Sequence, residues 1–84
     1  MPNINLKLFA SLKRFMPQGH LNGEVAMEIP DGKPIEHILS DLNVPLEQCH
    51  LVIVNGVFIP REKRASTPMA EGDTLAVWPP VAGG

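Results

Sequence analysis

The order of apolar and polar positions along the chain predicts two strands near its start. Residues 4–8 alternate between apolar and polar side chains, the period of two expected of a strand with one face on a core. The same alternation returns at residues 24–29 and stops at a Pro-Asp-Gly turn. Between these strands, we expect residues 10–15 to form a short helical turn.

A change of period predicts the main helix. Apolar residues occupy positions 35, 38, 39 and 42, and this i, i+3, i+4, i+7 spacing places them on one helical face. Pro34 suits the first turn of such a helix, and Asn43 suits its C-terminal end. We therefore expect a helix that begins near residue 35 and ends near residue 42.

The Asn55-Gly56 pair predicts a tight hairpin. It separates the apolar stretch 51–54 from the apolar stretch 57–59, and a two-residue turn of this composition determines the register of its strands. Counting outward from the turn pairs Ile53 with Phe58 on one face of the sheet. The other face of the hairpin is also apolar, so both faces of these strands are expected to contact protein.

A final strand is predicted at residues 74–78. It follows the Glu71-Gly72-Asp73 turn and stops at Pro79-Pro80. Two consecutive prolines offer no backbone donor, so the sheet is expected to end there. Val81-Ala82-Gly83-Gly84 would then leave the body of the domain as a tail.

The order strand, strand, helix, strand, strand, strand predicts an α+β fold with a mixed β-sheet of about five strands and one main helix. The helix covers one face of this sheet. The expected core residues are Leu6, Leu8, Val25, Met27, Ile29, Ile35, Ile38, Leu42, Val52, Val54, Val57, Leu75 and Val77. The expected residues of the uncovered face are Ile53, Phe58, Ala76 and Trp78, and apolar residues gathered on an open face predict a protein partner. The alternative is that a loop or residues 10–15 cover them.

Composition indicates a single small globular domain. The chain has 84 residues, of which 44% are hydrophobic and 19% charged. A net charge of −2 gives no basic surface for nucleic acid or acidic membranes, and no apolar run approaches the roughly 20 residues of a membrane span. We expect a soluble, cytoplasmic protein that binds neither nucleic acid nor membrane.

Several kinds of chemistry lack their usual motifs. No Gly-rich loop is followed by Lys-Ser or Lys-Thr, so any ATP would have to be bound by a partner. His20, His37 and His50 have no recognised metal-ligand spacing, and neither a metal site nor a bound cofactor is predicted. The carboxylates lie in turns or at helix ends, which does not favour an acid–base pair.

One cysteine and a basic loop leave two interpretations each. Cys49 is either a small packing residue or, if exposed, a persulfide or thioester nucleophile. Arg61, Lys63 and Arg64 belong either to a solvated loop or to a surface that docks an acidic partner.

The tail and the turn before the last strand carry a resemblance to a known family. Trp78-Pro79-Pro80-Val81-Ala82-Gly83-Gly84, preceded by Gly72-Asp73, resembles the ubiquitin-like β-grasp sulfur carriers of the MoaD/ThiS family. The likeness is greatest to the small subunit of molybdopterin synthase, which Phe9-Ala10-Ser11-Leu12 and the chain length also fit. Val54-Asn55-Gly56 and Ile59-Pro60-Arg61-Glu62 are also similar to the carriers of the thiazole pathway.

This resemblance implies a β-grasp domain over residues 1–78 and an extended, flexible Gly-Gly tail over residues 79–84. In ubiquitin-like proteins the positions of Ile53, Ala76 and Trp78 belong to the outward partner patch. That placement agrees with the strand register deduced above.

The tail suits a reaction at its terminal carboxylate. A free carboxylate is a poor electrophile, but conversion of Gly84 to an acyl adenylate supplies AMP as a leaving group, after which sulfur attack yields a thiocarboxylate. Gly83 and Gly84 lack Cβ atoms and fit a narrow channel. Pro79 and Pro80 hold the base of the tail extended, and Val81 and Ala82 complete the threading segment. Without this context, two final glycines would indicate no more than a flexible chain end.

The expected function is that of a sulfur carrier, non-catalytic by itself, for molybdopterin (molybdenum or tungsten cofactor) biosynthesis. The resemblance implies an E1-like adenylating enzyme of the MoeB/ThiF type that uses ATP in trans. It also implies a sulfur-acceptor enzyme, either the large subunit of molybdopterin synthase or thiazole synthase. The alternatives are a ThiS-like carrier for thiamine thiazole synthesis, a ubiquitin-like protein modifier, and a plain interaction domain with an inert tail.

Overall fold

The computed structural model describes residues 1–17 and 19–80. Its helix and strands are β1 (Asn3–Leu8), β2 (Glu24–Glu28), α1 (Ile35–Asp41), β3 (Leu51–Val54), β4 (Val57–Phe58) and β5 (Thr74–Trp78). Short 3-10 helices lie at Ala10–Phe15, Leu46–Gln48 and Arg61–Lys63. The predicted order of strands and helix is confirmed.

The strands form one mixed sheet in the order β2-β1-β5-β3-β4. β1 runs parallel to β5, and the remaining neighbours are antiparallel. β5 is the central strand, and its parallel neighbour β1 lies near the other end of the chain. This sheet with its one main helix confirms the expected ubiquitin-like β-grasp fold.

The core lies between the sheet and α1. Eight of the expected core residues are buried, namely Leu6, Leu8, Ile29, Ile35, Ile38, Val52, Leu75 and Val77. Four more are partly buried against them, namely Val25, Met27, Leu42 and Val54. The core also contains residues outside the prediction, namely Ile4, Leu12, Leu39, Val44, Cys49 and Met69.

The prediction that Val57 is a core residue is wrong. Val57 pairs with Val54, as the hairpin register predicts, but it is 61% exposed. β4 has only two residues and is the outermost strand of the sheet, so Val57 has a strand neighbour on one side alone.

Both ends of α1 follow from local sequence. Pro34 lies just before the first helical residue in extended conformation, and its carbonyl accepts hydrogen bonds from the amides of His37 and Ile38 at 3.1 Å. At the other end Asn43 has a φ of +66°. Its amide donates to the Ser40 carbonyl at 2.9 Å, and the Val44 amide donates to the Leu39 carbonyl at 3.0 Å. This is a Schellman motif with asparagine in the left-handed position.

The predicted hairpin turn is confirmed and is tied to the turn before β5. Asn55 and Gly56 have φ angles of +51° and +83°, as a type I′ turn requires. The Asn55 side chain donates from Nδ2 to Asp73 Oδ1 at 2.8 Å and accepts the Thr74 amide at 2.9 Å. The hairpin is thereby fastened to the first residue of β5.

Among the described residues, no helix combines the length and the apolar character that a membrane span requires.

Candidate functional site

The exit of the tail is defined by the last hydrogen bonds of β5. The Phe9 amide donates to the Val77 carbonyl at 3.1 Å, and the His50 amide donates to the Trp78 carbonyl at 3.0 Å. Pro79 is buried and Pro80 is exposed, and neither has an amide hydrogen to extend the ladder. The sheet therefore ends at Trp78. The predicted tail residues Val81, Ala82, Gly83 and Gly84 lie outside the described residues, and the division into domain and tail stays a prediction.

The face of the sheet opposite α1 is apolar on the side of β5, β3 and β4. Ile53 lies opposite Phe58 on one side and opposite Ala76 on the other, and Leu51 lies opposite Trp78. With the addition of Phe9, described next, we call this surface the outer patch, which consists of Phe9, Leu51, Ile53, Phe58, Ala76 and Trp78. The four residues predicted for the open face thus lie together. Their binding of a partner stays a prediction.

Phe9 is a member of the outer patch that the sequence analysis did not identify. Its ring stacks on that of Trp78 with centroids 4.3 Å apart and an interplanar angle of 1°. Continuing the alternation of β1 by one residue beyond Leu8 would have placed Phe9 on this face, next after Lys7. Ala10 follows with a φ of +54°, and there the chain turns away from the sheet into the 3-10 helix.

Exposure differs among the members of the outer patch. Phe58 is 53% exposed, whereas Ile53 and Trp78 are half-buried. Ala76 is only 8% exposed because its short side chain lies between the longer side chains of Ile53 and Lys7 on the neighbouring strands. Residues 10–15 were the alternative cover for this patch. Their apolar residue Leu12 does not lie over the patch, because it is buried in the core instead.

The β1–β2 side of the same face is polar. Lys7 and Glu24 lie opposite each other, with 3.7 Å between the ammonium nitrogen and a carboxylate oxygen. Asn3 and Asn5 of β1 and Glu28 of β2 point the same way. The open face is therefore divided into an apolar half beside the tail exit and a polar half away from it.

Cys49 is a packing residue in the folded chain. It is 1% exposed, and its thiol lies 3.5 Å from the Pro45 carbonyl. Burial raises the pKa of the Cys49 thiol, and the positive charge of Arg64 opposes this only in part. A buried, protonated thiol does not favour the nucleophile interpretation.

Arg64 departs from both interpretations of the basic loop. Arg61 and Lys63 are exposed, but Arg64 is 6% exposed and is the one buried charged side chain among residues 1–17 and 19–80. Its guanidinium donates to the carbonyls of Ile59, Cys49 and His50 at 3.1, 2.6 and 3.4 Å. It is therefore neither solvated nor available to an acidic partner. The sequence of this loop is polar and has no period, so it gave no indication that Arg64 is buried.

A cavity of about 300 Å³ lies beside Arg64, between α1 and the 3-10 helices at 46–48 and 61–63. Glu36 and Glu47 line it together with Arg61 and Arg64. Equal numbers of acidic and basic side chains give it no preference for one charge of ligand.

Comparison with known proteins identifies a family. A family model described as the ThiS family matches residues 6–84. Among curated protein sequences no significant match is found.

Several solved structures share this fold. Small archaeal modifier protein 1 from H. volcanii is 22% identical, with 96% of this chain and 100% of that chain covered and a TM-score of 0.70. A chain in the complex of subunits 1 and 2 of the molybdopterin-converting factor from Helicobacter pylori is 24% identical, with 98% and 99% covered and a TM-score of 0.61. The thiamine biosynthesis protein ThiS from Geobacter metallireducens is 20% identical, with 95% and 99% covered and a TM-score of 0.61. At these identities the likeness is one of fold.

Proposed function

Because this chain belongs to the ThiS family, we propose that it is a sulfur carrier that bears sulfur as a thiocarboxylate on Gly84. The observation that carries the proposal is the extent of the family match, which runs through the β-grasp domain and includes the final Gly83-Gly84. The end of the hydrogen-bonded sheet at Trp78, directly before two prolines, supports it.

The proposed chemistry proceeds in two displacements at the Gly84 carboxyl group. First, a carboxylate oxygen attacks the α-phosphorus of ATP, and pyrophosphate leaves to give an acyl adenylate. Second, a sulfide-level nucleophile attacks the carbonyl carbon, and the C–O bond to AMP breaks with its electron pair going to AMP. ATP is bound by an E1-like adenylating partner of the MoeB/ThiF type. This chain is a carrier and does not catalyse either step.

The domain would contribute by placing the tail. Pro79 and Pro80 restrict the start of the tail to extended geometry, which lowers the ordering cost of roughly 1–2 kcal/mol per residue when a partner captures it. The outer patch lies beside this exit, so a partner that docks on the patch also meets the tail. Phe58 and Trp78 give such a partner aromatic surface, the kind enriched at protein interfaces.

For the acceptor we propose the large subunit of molybdopterin synthase, which would make this chain the small subunit. The fold neighbour from Helicobacter pylori was solved in a complex of subunits 1 and 2 of the molybdopterin-converting factor, which supports a protein partner of this kind. The proposed place of action is the cytoplasm. The thiazole branch remains the second candidate, favoured by the family name and by the ThiS neighbour.

A protein modifier is the candidate from another class. Its specific support is the likeness to small archaeal modifier protein 1. In this case Gly84 would be joined to lysine amines of other proteins rather than to sulfur. Expression of the tagged chain in cells would then give conjugates of higher mass that disappear when Gly83 and Gly84 are deleted.

Activation is tested by the products of ATP. The chain is incubated with ATP and an adenylating enzyme of the family, and pyrophosphate release is measured for the wild-type chain and for a chain that lacks Gly84. We expect release that depends on the wild-type chain and is lost on truncation. Equal release from both chains, or none from either with an enzyme that activates another carrier, would contradict the proposal.

A further inference from the structure

The buried guanidinium of Arg64 joins the chain just after β4 to the chain just before β3, next to the point where the Ile59 amide donates to the Val52 carbonyl at 2.9 Å. Nε donates to the Ile59 carbonyl just after β4, while Nη1 and Nη2 donate to the carbonyls of Cys49 and His50 just before β3. The ion pairs among the described residues join Lys7 to Glu24 and Lys33 to Asp41, so Arg64 is compensated by backbone carbonyls. Hydrogen bonds from an ionised donor are roughly twice as strong as neutral ones.

The backbone of Arg64 is itself held by the helix. Its carbonyl accepts the Glu36 amide of α1 at 3.1 Å, and its own amide donates to the Arg61 carbonyl at 3.3 Å. The guanidinium therefore reaches the carbonyls of Cys49 and His50 from an anchored position. Its planar fork presents several donors in fixed directions, which a lysine ammonium does not.

His50 links Arg64 to the exit of the tail. The His50 carbonyl accepts from Arg64 Nη2, and the His50 amide donates the last β3–β5 hydrogen bond to the Trp78 carbonyl at 3.0 Å. Pro79 follows Trp78 at once and offers no amide of its own. The pair of Leu51 with Trp78 closes the β3–β5 ladder, and the His50 amide holds the Trp78 carbonyl in addition. On this side of β5, the position of that carbonyl therefore depends in part on how firmly residues 49 and 50 are held.

We propose that Arg64 is a positioning residue for the tail. By fixing the carbonyls of Cys49 and His50, it holds the end of β5 in place and determines in which direction Pro79 and Pro80 leave the sheet. The effect of Arg64 on activation of the tail rests on the proposed function, whereas the effect of Arg64 on the backbone at His50 does not. The outer patch lies on the open face and does not include Arg64, so docking and tail placement are separable.

The test compares Arg64→Lys and Arg64→Gln with a control at the other end of β5. Asn55→Ala removes the side-chain bonds to Asp73 and Thr74 and so loosens the first residue of the strand rather than the last. Site-resolved amide hydrogen exchange is followed at His50, bonded to Trp78, and at Asn55, bonded to Thr74 at 3.0 Å. Loss of the guanidinium bonds is expected to accelerate exchange at His50 by about tenfold relative to Asn55 in both Arg64 variants. Asn55→Ala should show the reverse pattern.

Kinetics with the adenylating enzyme give the second measurement. With ATP and a sulfide source present, and at a temperature where every variant is folded, kcat for AMP formation should fall by roughly tenfold in Arg64→Lys with little change in KM, because docking is intact and placement of the tail is not. Asn55→Ala should retain the wild-type kcat, because it leaves the hydrogen bonds at His50 in place. Unchanged exchange at His50, or a kcat equal to that of Asn55→Ala, would overturn the proposal. The hydrogen-exchange measurement needs no partner protein. If the adenylating enzyme does not activate the wild-type chain, that result therefore contradicts the proposed function but not the role of Arg64.

Discussion

At the residue scale, Gly23 is the glycine that the fold requires most. Its φ is +81°, and a Cβ atom there would lie 2.5 Å from the Leu8 carbonyl oxygen. Its own carbonyl accepts the Leu8 amide at 2.9 Å, so β1 and the residue before β2 approach closely at this point. The backbone of β1 cannot move without disturbing the centre of the sheet.

We therefore predict that Gly23→Ala destabilises the domain much more than Gly32→Ala. Gly32 also has a positive φ, +74°, but its Cβ would enter open space. The control, Gly32→Ala, should lower the free energy of unfolding by about 1 kcal/mol through the positive φ alone. Gly23→Ala should lower it by at least about 2 kcal/mol. Urea unfolding of both variants checks this. Equal decreases in the free energy of unfolding would mean that the backbone of β1 shifts at Leu8 to make room for the Cβ atom.

The buried thiol of Cys49 leads to a prediction about how stability depends on pH. Burial raises the pKa of its thiol in the folded chain above the ordinary value of 9.0, so above that pH the unfolded chain releases the proton more readily than the folded chain does. The free energy of unfolding should therefore fall as the pH rises from about 8 to about 10. A Cys49→Ala variant should lose less stability over the same range. Parallel curves for the two chains would show that the thiol does not contribute.

At the element scale, the end of α1 offers a stabilising change. Asn43 occupies the left-handed position of the Schellman motif with a φ of +66°, where glycine has no steric cost. We expect Asn43→Gly to raise the free energy of unfolding by about 0.5 kcal/mol and Asn43→Ala to lower it by a similar amount. Thermal and urea unfolding of the pair measure the difference. The opposite order would contradict the assigned motif.

The two residues of β4 provide a matched test of the outer patch. Val57 and Phe58 are 61% and 53% exposed but point to opposite faces of the sheet, and only Phe58 belongs to the outer patch. Phe58→Ser should weaken binding to the adenylating partner by at least about tenfold, since aromatic residues carry much of the energy of such interfaces. Val57→Ser should bind as the wild-type chain does. Calorimetric titration checks both variants, and equal affinities would remove β4 from the interface.

Strands and helix could be predicted because their periods and turns are local properties. Asn55-Gly56 determined the register that brings Ile53 opposite Phe58, and the helical spacing placed Ile38 in the core. Burial in loops could not be predicted in this way. Arg64 and Met69 lie in a polar stretch without a period, and their burial depends on contacts with segments distant in sequence.

At the scale of the whole molecule, the chain presents two features side by side. The outer patch and the end of β5 meet at Trp78, whose ring stacks on Phe9 and whose carbonyl accepts the last hydrogen bond of the sheet. Ile53, Phe58, Ala76 and Trp78 were predicted for this face from the register, whereas Leu51 was not named. Phe9 lies one residue beyond β1, and its stacking on Trp78 could be recognised only once the fold had brought the two rings together.

The fold by itself does not distinguish among pathways. Proteins described as a modifier, a molybdopterin-converting subunit and a thiamine biosynthesis protein all share it with this chain. Fold does not imply function, and the distinction belongs to the chemistry of the tail and to the partner that receives it.

The intact mass of the chain shows whether Gly84 takes up sulfur. The chain is incubated with ATP, a sulfide source and an adenylating enzyme that is competent on another carrier, beside a chain that lacks Gly84. We expect a mass gain equal to the exchange of one oxygen for one sulfur, found in the wild-type chain and absent from the truncated one. An unchanged wild-type mass under these conditions would mean that Gly84 does not accept sulfur.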